Sequence, residues 1–292
     1  MPELPEVETI AAGVHARVRG ARIVRVWTSG KPQTFKSPED EIARALTGSR
    51  IESVRRVGKT IVMTVQRNNT PTELLIHLGM TGRLLVSAPE VPLAPHTHAI
   101  LTLDDRRELR FVDPRRFGRI SLHAPQPGAG APGLDSETWD RQPQNSKPTP
   151  YTGPGSEPLT ISLAGFIALF HPRRTPIKAA LLNQSLLHGI GNIYADESLF
   201  RAAIRPTRQA ARLTRAELAR LRTAMVEVLR HAIQLGGSSV SDYVDAEGSR
   251  GFFQLHHRVY RRTGLPCLVC ATPLCRITLA GRSTHFCPHC QR

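Results

Sequence analysis

The sequence predicts an α+β protein with a β-rich N-terminal part, a helical second part and a metal-binding module at its end. Short alternating apolar segments follow one another up to about residue 122. Helical spacing of apolar residues dominates from about residue 161, and all five cysteines lie from Cys267 onward. With 292 residues the chain is long enough for two domains. We place domain boundaries at 1–123, 124–158 (a linker), 159–258 and 259–292.

The N-terminal part begins with a helix and continues mainly as strands. Val7, Ile10, Val14 and Val18 follow helical spacing from about residue 6 to 19, and Gly20 ends that helix. A short helix with Pro38 at its first position is expected up to residue 48. Strands are expected at 21–27, 50–57, 61–66, 73–77, 83–86, 99–103, 108–112 and 119–122. Short strands separated by turn residues are typical of a β-sandwich or a barrel.

The second part is predicted to be helical. Residues 123–158 are rich in Pro, Gly and Ser and are interpreted as a linker. Helices are expected at 161–170, 177–187 and 192–203. Thr214-Arg215-Ala216-Glu217 is a capping box that opens a fourth helix, which Gly236-Gly237 ends. The polar segment 238–251 is expected to be a mobile loop.

The charge of the chain favours a polyanionic partner. The net charge is +15, and residues 201–292 hold fifteen Arg, no Lys and five acidic residues. General solubility and an acidic membrane surface are the alternatives, but no basic amphipathic helix stands out as an anchor. No apolar run approaches the roughly 18–20 residues that span a bilayer, and the acidic start argues against a secretory leader. A cytoplasmic, nucleoid-associated protein without membrane contact is therefore expected.

The cysteines predict a structural zinc site. Cys267-x2-Cys270 and Cys287-x2-Cys290 are separated by sixteen residues, which is the spacing of a four-thiolate zinc ribbon. Four thiolates leave no coordination position for a catalytic water. Cys275 is interpreted as a packed free thiol. His285 and His289 are close enough to be alternative ligands, although four cysteines already satisfy a tetrahedral ion.

The N-terminus offers a nucleophile. Removal of the initiator Met would leave Pro2 with a free secondary amine, and α-amino groups titrate near pH 7.7–8.0. Amines form Schiff bases with carbonyl-like carbons, and the adjacent Glu3 could transfer protons. The alternative is that Pro5, Glu6 and their neighbours only begin a helix.

Further segments have the chemistry of phosphate or duplex contacts, each with a purely structural alternative. Residues 183–197 form a Gly-rich turn before a helix, which can bind phosphate or can be a simple helical hairpin. Lys59 follows Gly58 in a turn, where lysines are usually solvated. Arg282 lies near the expected ribbon hairpin turn, from which it could reach a phosphate.

Two loops carry residues that could enter a base stack. Met80 lies at a turn tip between Gly79 and Gly82, where an exposed Met makes a good wedge. Arg115 and Phe117 are two apart on a second loop and could enter a duplex together. Core packing is the alternative for Met80 and Phe117.

Taken together, these motifs resemble the formamidopyrimidine-DNA glycosylase family. The resemblance rests on residues 1–8, the Gly-rich turn at 183–197 and the C-terminal finger at 281–291. It implies an N-terminal β-sandwich with a long N-terminal helix, a helix–two-turn–helix DNA-binding domain and a zinc ribbon. It also implies the catalytic residues Pro2, Glu3, Lys59 and Arg282, structural support from Glu6, one structural Zn²⁺ held by four Cys, and the DNA-binding residues Met80, His98, Arg115, Phe117, Lys178 and Asn192.

The implied activity is that of a bifunctional DNA glycosylase and AP lyase. Such an enzyme excises oxidised purines (8-oxoguanine, formamidopyrimidines) from duplex DNA after flipping the nucleotide out, and cuts the strand by β,δ-elimination from a Schiff base on Pro2. Lys178 and Asn192 would contact phosphates, while Arg115 would face the estranged base. The expected partner is damaged double-stranded DNA, bound by a monomer. Alternatives are an endonuclease VIII-like enzyme for oxidised pyrimidines, in which Gly more often replaces Leu4, and a non-catalytic zinc-ribbon protein that binds damaged DNA.

Overall fold

The computed structural model describes residues 1–123, 149–239 and 243–292. Most of the predicted linker (124–148) and residues 240–242 of the predicted 238–251 loop lie outside the described residues. The domain boundaries stay a prediction.

The N-terminal part is a β-sandwich with one long helix, as the fold class predicted. Helix α1 spans Leu4–Val18 and α2 spans Glu39–Leu46. The strands are β1 (Ile23–Thr28), β2 (Arg50–Val57), β3 (Thr60–Arg67), β4 (Thr70–His77), β5 (Arg83–Ser87), β6 (Thr97–Leu103), β7 (Glu108–Val112) and β8 (Arg119–His123). They form two antiparallel four-stranded sheets, β1-β6-β7-β5 and β2-β3-β4-β8.

The two sheets and α1 share one apolar core. Inward residues of both sheets, such as Leu101 and Ile61, belong to the same buried cluster as Val7, Ile10 and Val14 of α1. Burying this face of α1 stabilises the helix far more than intrinsic propensity does. The helix begins at Leu4, earlier than its apolar spacing indicated. The first turn of α1 packs on the C-terminal part, so it does not contribute to the apolar spacing that α1 presents to the N-terminal core.

The C-terminal part is helical around a second core. It contains α3 (Leu163–Phe170), α4 (Ile177–Leu181), α5 (Asn192–Arg201) and α6 (Arg215–Gln234). The predicted capping box is present, since Glu217 N donates to Thr214 Oγ1 at 3.2 Å and Thr214 N donates to Glu217 Oε2 at 2.8 Å. Among the helices of the described residues, none is both long and apolar enough to cross a bilayer.

The prediction of a helix over 177–187 was wrong beyond Leu181. Asn183 Oδ1 accepts a hydrogen bond from Ser185 N at 3.0 Å, an arrangement that competes with helix continuation. Gln184 then holds the following turn, because its Oε1 accepts from Gly189 N at 2.9 Å and its Nε2 donates to Ile190 O at 2.8 Å. The apolar residues that follow Leu181 therefore pack against the C-terminal core from a turn and not from a helix.

The chain ends in a ribbon whose strands are β9 (Cys275–Leu279) and β10 (Arg282–Phe286). They form an antiparallel hairpin in which Arg282 pairs with Leu279 next to the turn. The ribbon is fixed to α5, since Asp196 Oδ2 accepts from His285 N at 2.9 Å. A second buried carboxylate, Glu197, accepts from the backbone N–H groups of Arg258, Val259 and Tyr260 at 2.9–3.0 Å. Adjacent carboxylates on α5 thus hold β10 of the ribbon and the segment that leads into the ribbon.

Candidate active site and DNA-binding cleft

A cavity of about 740 Å³ lies between the two parts of the chain. The N-terminal part contributes Glu3, Lys59 and His77, and the C-terminal part contributes Asn192 and Arg282, among others. Met1 also lines this cavity, and the adjacent Pro2 is buried. Removal of Met1 would therefore leave the Pro2 nitrogen as an amine at the cavity wall.

Glu3 is a buried carboxyl group at the junction of α1 and α5. Its Oε1 accepts from Ile193 N at 3.2 Å and its Oε2 from Tyr194 N at 3.4 Å. Burial raises the pKa of Glu3 to about 7, although the nearby Lys59 ammonium and these two N–H donors lower it. Glu3 therefore exchanges its proton near neutral pH, as an acid–base residue must.

Glu6 lies in the first turn of α1, and its carboxyl group holds that turn in place. Its Oε2 accepts from Glu3 N at 2.8 Å, and its Oε1 accepts from Ser238 N at 2.7 Å and from the hydroxyl of Tyr194. Burial raises the pKa of Glu6 above its ordinary value, and these donors lower it. These contacts support the predicted role of Glu6 in holding the geometry of the site.

Lys59 lies in the β2–β3 turn and faces Glu3 across the cavity. Burial lowers the pKa of the Lys59 ammonium below its ordinary value, and the Arg282 charge lowers it further, while Glu3 opposes the shift. A depressed pKa increases the fraction of neutral amine that can accept a proton at neutral pH. The predicted catalytic residues Glu3, Lys59 and Arg282 are thus brought together in one cavity from separate parts of the chain.

Asn192 opens α5 beside the ribbon hairpin. Its Nδ2 donates to Ser283 O at 2.9 Å, next to Arg282, and its Oδ1 is buried without a hydrogen-bond partner. Asn192 and Arg282 both line the cavity, so the predicted phosphate contacts of these two residues converge on one wall.

Lys178 is placed differently from a surface phosphate contact. Its side chain is fully buried, and Nζ lies 2.7 Å from Asp196 Oδ1, 2.7 Å from Ser283 O and 2.8 Å from Thr284 Oγ1. Nζ donates to Ser283 O and Thr284 Oγ1 and forms an ion pair with Asp196, so the buried ammonium joins α4, α5 and β10. In this arrangement Lys178 supports the strand that carries Arg282, and a direct contact with DNA stays a prediction.

Met80, Arg115 and Phe117 come from two loops that pack on each other. The Arg115 guanidinium lies 4.7 Å from the centre of the Phe117 ring, and Met80 and Phe117 are 40% and 46% exposed. Asp113 ties the loops together by accepting from Thr81 Oγ1 at 2.5 Å and from Gly118 N at 2.7 Å. Exposed apolar side chains held on a braced support fit a wedge better than they fit core packing.

His98 supports the same loops from within. It is buried, with Nδ1 at 3.1 Å from Ser29 Oγ and Nε2 at 3.0 Å from Asp113 O. Both ring nitrogens are engaged in this structure, so His98 fixes the residue that ties the two loops. Its predicted contact with DNA is not visible in this arrangement and stays a prediction.

The four predicted zinc ligands converge. All four sulfur atoms lie within 4.8 Å of one another, with 3.9 Å between Cys267 and Cys290 and 3.5 Å between Cys270 and Cys287. Zn–S bonds of about 2.3 Å in a tetrahedron place sulfur atoms about 3.8 Å apart, so the cluster fits one zinc ion. Cys275 is outside the cluster, and the Nδ1 of His285 lies 3.1 Å from Asp196.

The sequence did not single out His77, although it lies in the cavity. Its Nδ1 accepts from Gly79 N at 3.1 Å, and burial lowers its pKa, with Lys59 and Arg119 adding to that effect. The ring is therefore neutral with its proton on Nε2, which makes it a donor suited to a phosphate oxygen. No local sequence motif predicts this property of His77, because the position of its ring proton depends on the hydrogen bond from Gly79 N in the turn that follows β4.

The comparisons with known proteins agree with this geometry. Family models match over the chain: the formamidopyrimidine-DNA glycosylase N-terminal domain at residues 1–120, its H2TH domain at 153–244, and the zinc finger found in FPG and IleRS at 264–292. Formamidopyrimidine-DNA glycosylases of Solibacter usitatus and Thioalkalivibrio sulfidiphilus are 44% and 41% identical, with full coverage of both chains in each case.

Solved structures give the same result. The MutM (Fpg) protein from Thermus thermophilus is 38% identical with a TM-score of 0.80, covering 99% of this chain and 98% of that chain. A variant of the Lactococcus lactis Fpg, solved with DNA containing Fapy-dG, is 29% identical with a TM-score of 0.83 and full coverage of both chains. With its N-terminal sandwich, its helical part and its zinc ribbon all matched, this chain belongs to the formamidopyrimidine-DNA glycosylase family.

Proposed function

We propose that the protein is a bifunctional DNA glycosylase and AP lyase that removes oxidised purines, 8-oxoguanine and formamidopyrimidines, from duplex DNA in base excision repair. The observation that carries this proposal is the meeting of Glu3, Lys59 and Arg282 in one cavity that the N-terminus reaches. Relatives from Lactococcus lactis have been solved with DNA containing Fapy-dG and with DNA containing an abasic site.

Recognition begins with the backbone and the base stack. The net charge of +15 draws the duplex into the cleft, where His77, Asn192 and Arg282 offer donors to phosphate oxygens. The target atom is inaccessible inside a duplex, so the damaged nucleotide is flipped into the cavity. Met80 and Phe117 then fill the vacated space, and Arg115 faces the base that has lost its partner.

Base excision uses Pro2 as the nucleophile. Its nitrogen forms a bond with C1′ and gives up its N–H proton, while the glycosidic bond breaks and the bonding electron pair leaves with the base, which takes up a proton. Glu3, whose pKa of about 7 keeps much of it protonated at neutral pH, donates to O4′ as the sugar ring opens. The product is an iminium ion between Pro2 and C1′.

The iminium ion withdraws electrons from the sugar, which makes strand cleavage possible. Removal of a C2′ proton breaks the C3′–O bond and releases the 3′ phosphate, and a second elimination across C4′ and C5′ releases the 5′ phosphate. Lys59, with its lowered pKa, is suited to transfer these protons, and Arg282 to stabilise a departing phosphate. Water then hydrolyses the iminium and frees Pro2. The four clustered cysteines would hold one zinc ion, which would stabilise the fold of the ribbon that carries Arg282 and would leave these steps to the side chains named above.

We also propose that the protein acts as a monomer in the cytoplasm. Within the described residues, one chain lines the cavity from both of its parts, which is what a monomer can provide. Four clustered, unpaired cysteines suit a compartment in which thiols stay reduced.

Borohydride trapping tests the proposal. The purified protein is incubated with duplexes that contain 8-oxoguanine opposite cytosine, an oxidised pyrimidine, an abasic site or no lesion, and covalent adducts are resolved on a gel. We expect an adduct with 8-oxoguanine that peptide mapping places on Pro2, and its loss in Pro2→Gly with binding retained. Unchanged strand cutting by Pro2→Gly would sink the assignment of the nucleophile.

The same experiment separates a second candidate function. A Lactococcus lactis Fpg has also been solved with DNA containing an oxidised pyrimidine, so this class of lesion is a reasonable alternative substrate. Trapping with the pyrimidine duplex alone would move the protein to that specificity. Tight binding without an adduct on any duplex would instead support a non-catalytic damage-binding protein.

A further inference from the structure

His188 is a buried histidine to which the proposed mechanism gives no role. It lies in the turn between α4 and α5 and is only 4% exposed. Its ring fits between two glycines: a Cβ on Gly58 would lie 3.1 Å from the ring, and a Cβ on Gly153 would lie 2.7 Å from Nδ1. Both glycines have positive φ angles, of +60° and +77°. The ring therefore packs directly on the backbone that precedes Lys59.

A carboxylate lies beside this ring. His188 Nε2 lies 3.3 Å from Glu157 Oε2, and Glu157 also receives two hydrogen bonds from Arg56, at 2.7 and 3.0 Å. Although burial raises the pKa of Glu157, the nearby His188 and the hydrogen bonds from Arg56 bring it down to about 2. Glu157 is therefore ionised at neutral pH.

The opposite side of the same turn is held by Arg56. Its Nη1 donates to Gly58 O at 3.3 Å, and its Nε donates to Glu8 Oε2 at 2.7 Å. The turn before Lys59 thus lies between a guanidinium and an imidazole, and Glu157 joins the two. The backbone of His188 is fixed as well, because His188 N donates to Ser156 O at 3.1 Å.

We propose that His188 is a positioning residue for Lys59: its ring, which lies beside Glu157, packs on Gly58 and sets where the Lys59 ammonium lies in the cavity. The inference rests on the proposed role of Lys59 in the reaction. It adds a link between the turn before α5 and the β2–β3 turn, so that the two parts of the chain fix a catalytic group jointly. A misplacement of about 1 Å in such a group can cost on the order of a hundredfold in rate.

The test compares single-turnover cleavage of a duplex with a preformed abasic site by the full-length protein and its variants. His188→Ala removes the ring, and His188→Phe keeps ring bulk but cannot pair with Glu157. We expect both to slow cleavage about 10- to 100-fold, with the Kd for an uncleavable abasic analogue unchanged within about threefold. His15→Ala is the matched control, because the His15 ring accepts a hydrogen bond from Val54 N of the same strand β2; it should lower stability without slowing cleavage.

A double-mutant cycle identifies the route of the effect. If His188 acts through Lys59, adding His188→Ala to Lys59→Ala should slow cleavage no further. Full additivity would overturn the inference and assign His188 a general structural role. If His188→Phe cleaves at the wild-type rate, the contact between His188 and Glu157 is not needed to position Lys59, and that part of the inference is wrong. If the wild-type protein cuts no abasic DNA, or if Lys59→Ala cuts at the wild-type rate, the proposed function fails instead, which the panel reports separately.

Discussion

A Cβ atom on Gly191 would lie 2.1 Å from Cδ of Glu3, and both residues lie at the junction between the two parts of the chain. The absence of a side chain at the start of α5 lets the Glu3 carboxyl reach the N–H groups of Ile193 and Tyr194. A helix N-terminus favours negative charge, so this contact stabilises the carboxylate that burial disfavours. The balance of these effects sets the acid–base behaviour of Glu3.

Gly191→Ala should therefore displace the Glu3 carboxyl. The methyl group and the carboxyl cannot occupy the same space, and a shift of about 1 Å should lower base excision on the order of a hundredfold. Single-turnover excision of 8-oxoguanine measures the effect. Gly165→Ala, in the first turn of α3, is the control, because its added Cβ meets only Ser162 Oγ at 3.2 Å and nearby Ile161 atoms. Equal losses in the two variants would show that the Glu3 contact is not the cause.

Glu3→Gln should abolish excision and stabilise the protein at high pH. The pKa of Glu3 rises from 4.5 in an unfolded chain to about 7 in the folded protein, so the folded state holds more protons between these values. Stability contributed by neutral Glu3 is thus complete below about pH 4.5 and is lost as pH rises through about 7. Gln lacks this penalty, and the difference should approach roughly 3 kcal/mol above pH 7.

Denaturant unfolding of Glu3→Gln and the wild type at pH 5 and pH 8 measures this linkage. The stability advantage of the variant should be larger at pH 8. An advantage that is equal at both pH values would mean that Glu3 does not titrate between them.

The fold could be predicted from the sequence because its signals are local. Strand alternation, the Thr214 capping box and the cysteine spacing each depend on a few neighbouring residues, and each was confirmed. The length of α4 could not be predicted in this way. Its end depends on hydrogen bonds that the Asn183 and Gln184 side chains accept from backbone N–H groups of a turn, and apolar spacing carries no information about them.

The residues of the site also divide into those that could be predicted from the sequence and those that could not. The side chains of Glu3, Lys59 and Arg282 do lie in one cavity, but the burial of Lys178 and His98 could not be seen from the sequence. A lysine is rarely fully buried unless it is paired, and its partner Asp196 lies on a different helix. The long-range contacts of His188 with Glu157 and Gly58 likewise join segments that no local pattern connects.

Loss of a zinc ligand should unfold the ribbon and weaken DNA binding together. In Cys267→Ser one thiolate of the cluster is missing, and a structural zinc site supplies much of the folding energy of so small a module. Zinc content and the Kd for a lesion duplex measure the two effects. Cys275→Ser, which lies outside the cluster, should retain both. Full DNA binding by a zinc-free Cys267→Ser would show that the ribbon is dispensable.

Lys178→Met should be strongly destabilising because it leaves Asp196 buried without its cation. Breaking a buried ion pair from one side typically costs about 3–5 kcal/mol. Arg44→Ala is the matched control, since the 2.8 Å pair with Asp40 has both side chains 72% exposed, and exposed pairs contribute about 0–1 kcal/mol. Chemical denaturation of both variants measures the difference.

Salt dependence decides whether Lys178 also contacts DNA. A lost phosphate contact reduces the slope of log K against log salt by about 1. Because the ammonium is fully buried and its charge is paired with Asp196, we expect Lys178→Met to leave this slope unchanged at temperatures where it is folded. A reduced slope would restore Lys178 as a direct phosphate contact.

Phe117→Ala should impair base excision more than cleavage at an abasic site. The exposed ring is braced by Arg115 and by the packing of its backbone on Gly79, where a Cβ would lie 2.5 Å from Phe117 C. Filling the vacated stack compensates for unstacking, which costs a few kcal/mol for an intact base pair and least for a site that has already lost its base. We expect about 10- to 100-fold slower excision of 8-oxoguanine and a smaller change on abasic DNA.

Leu93→Ala is the control for Phe117→Ala. Leu93 is an apolar side chain that is 56% exposed elsewhere on the N-terminal part, so its removal should affect neither reaction. Equal losses on the two substrates would mean that Phe117 acts on the chemistry after flipping and not on the flipping itself.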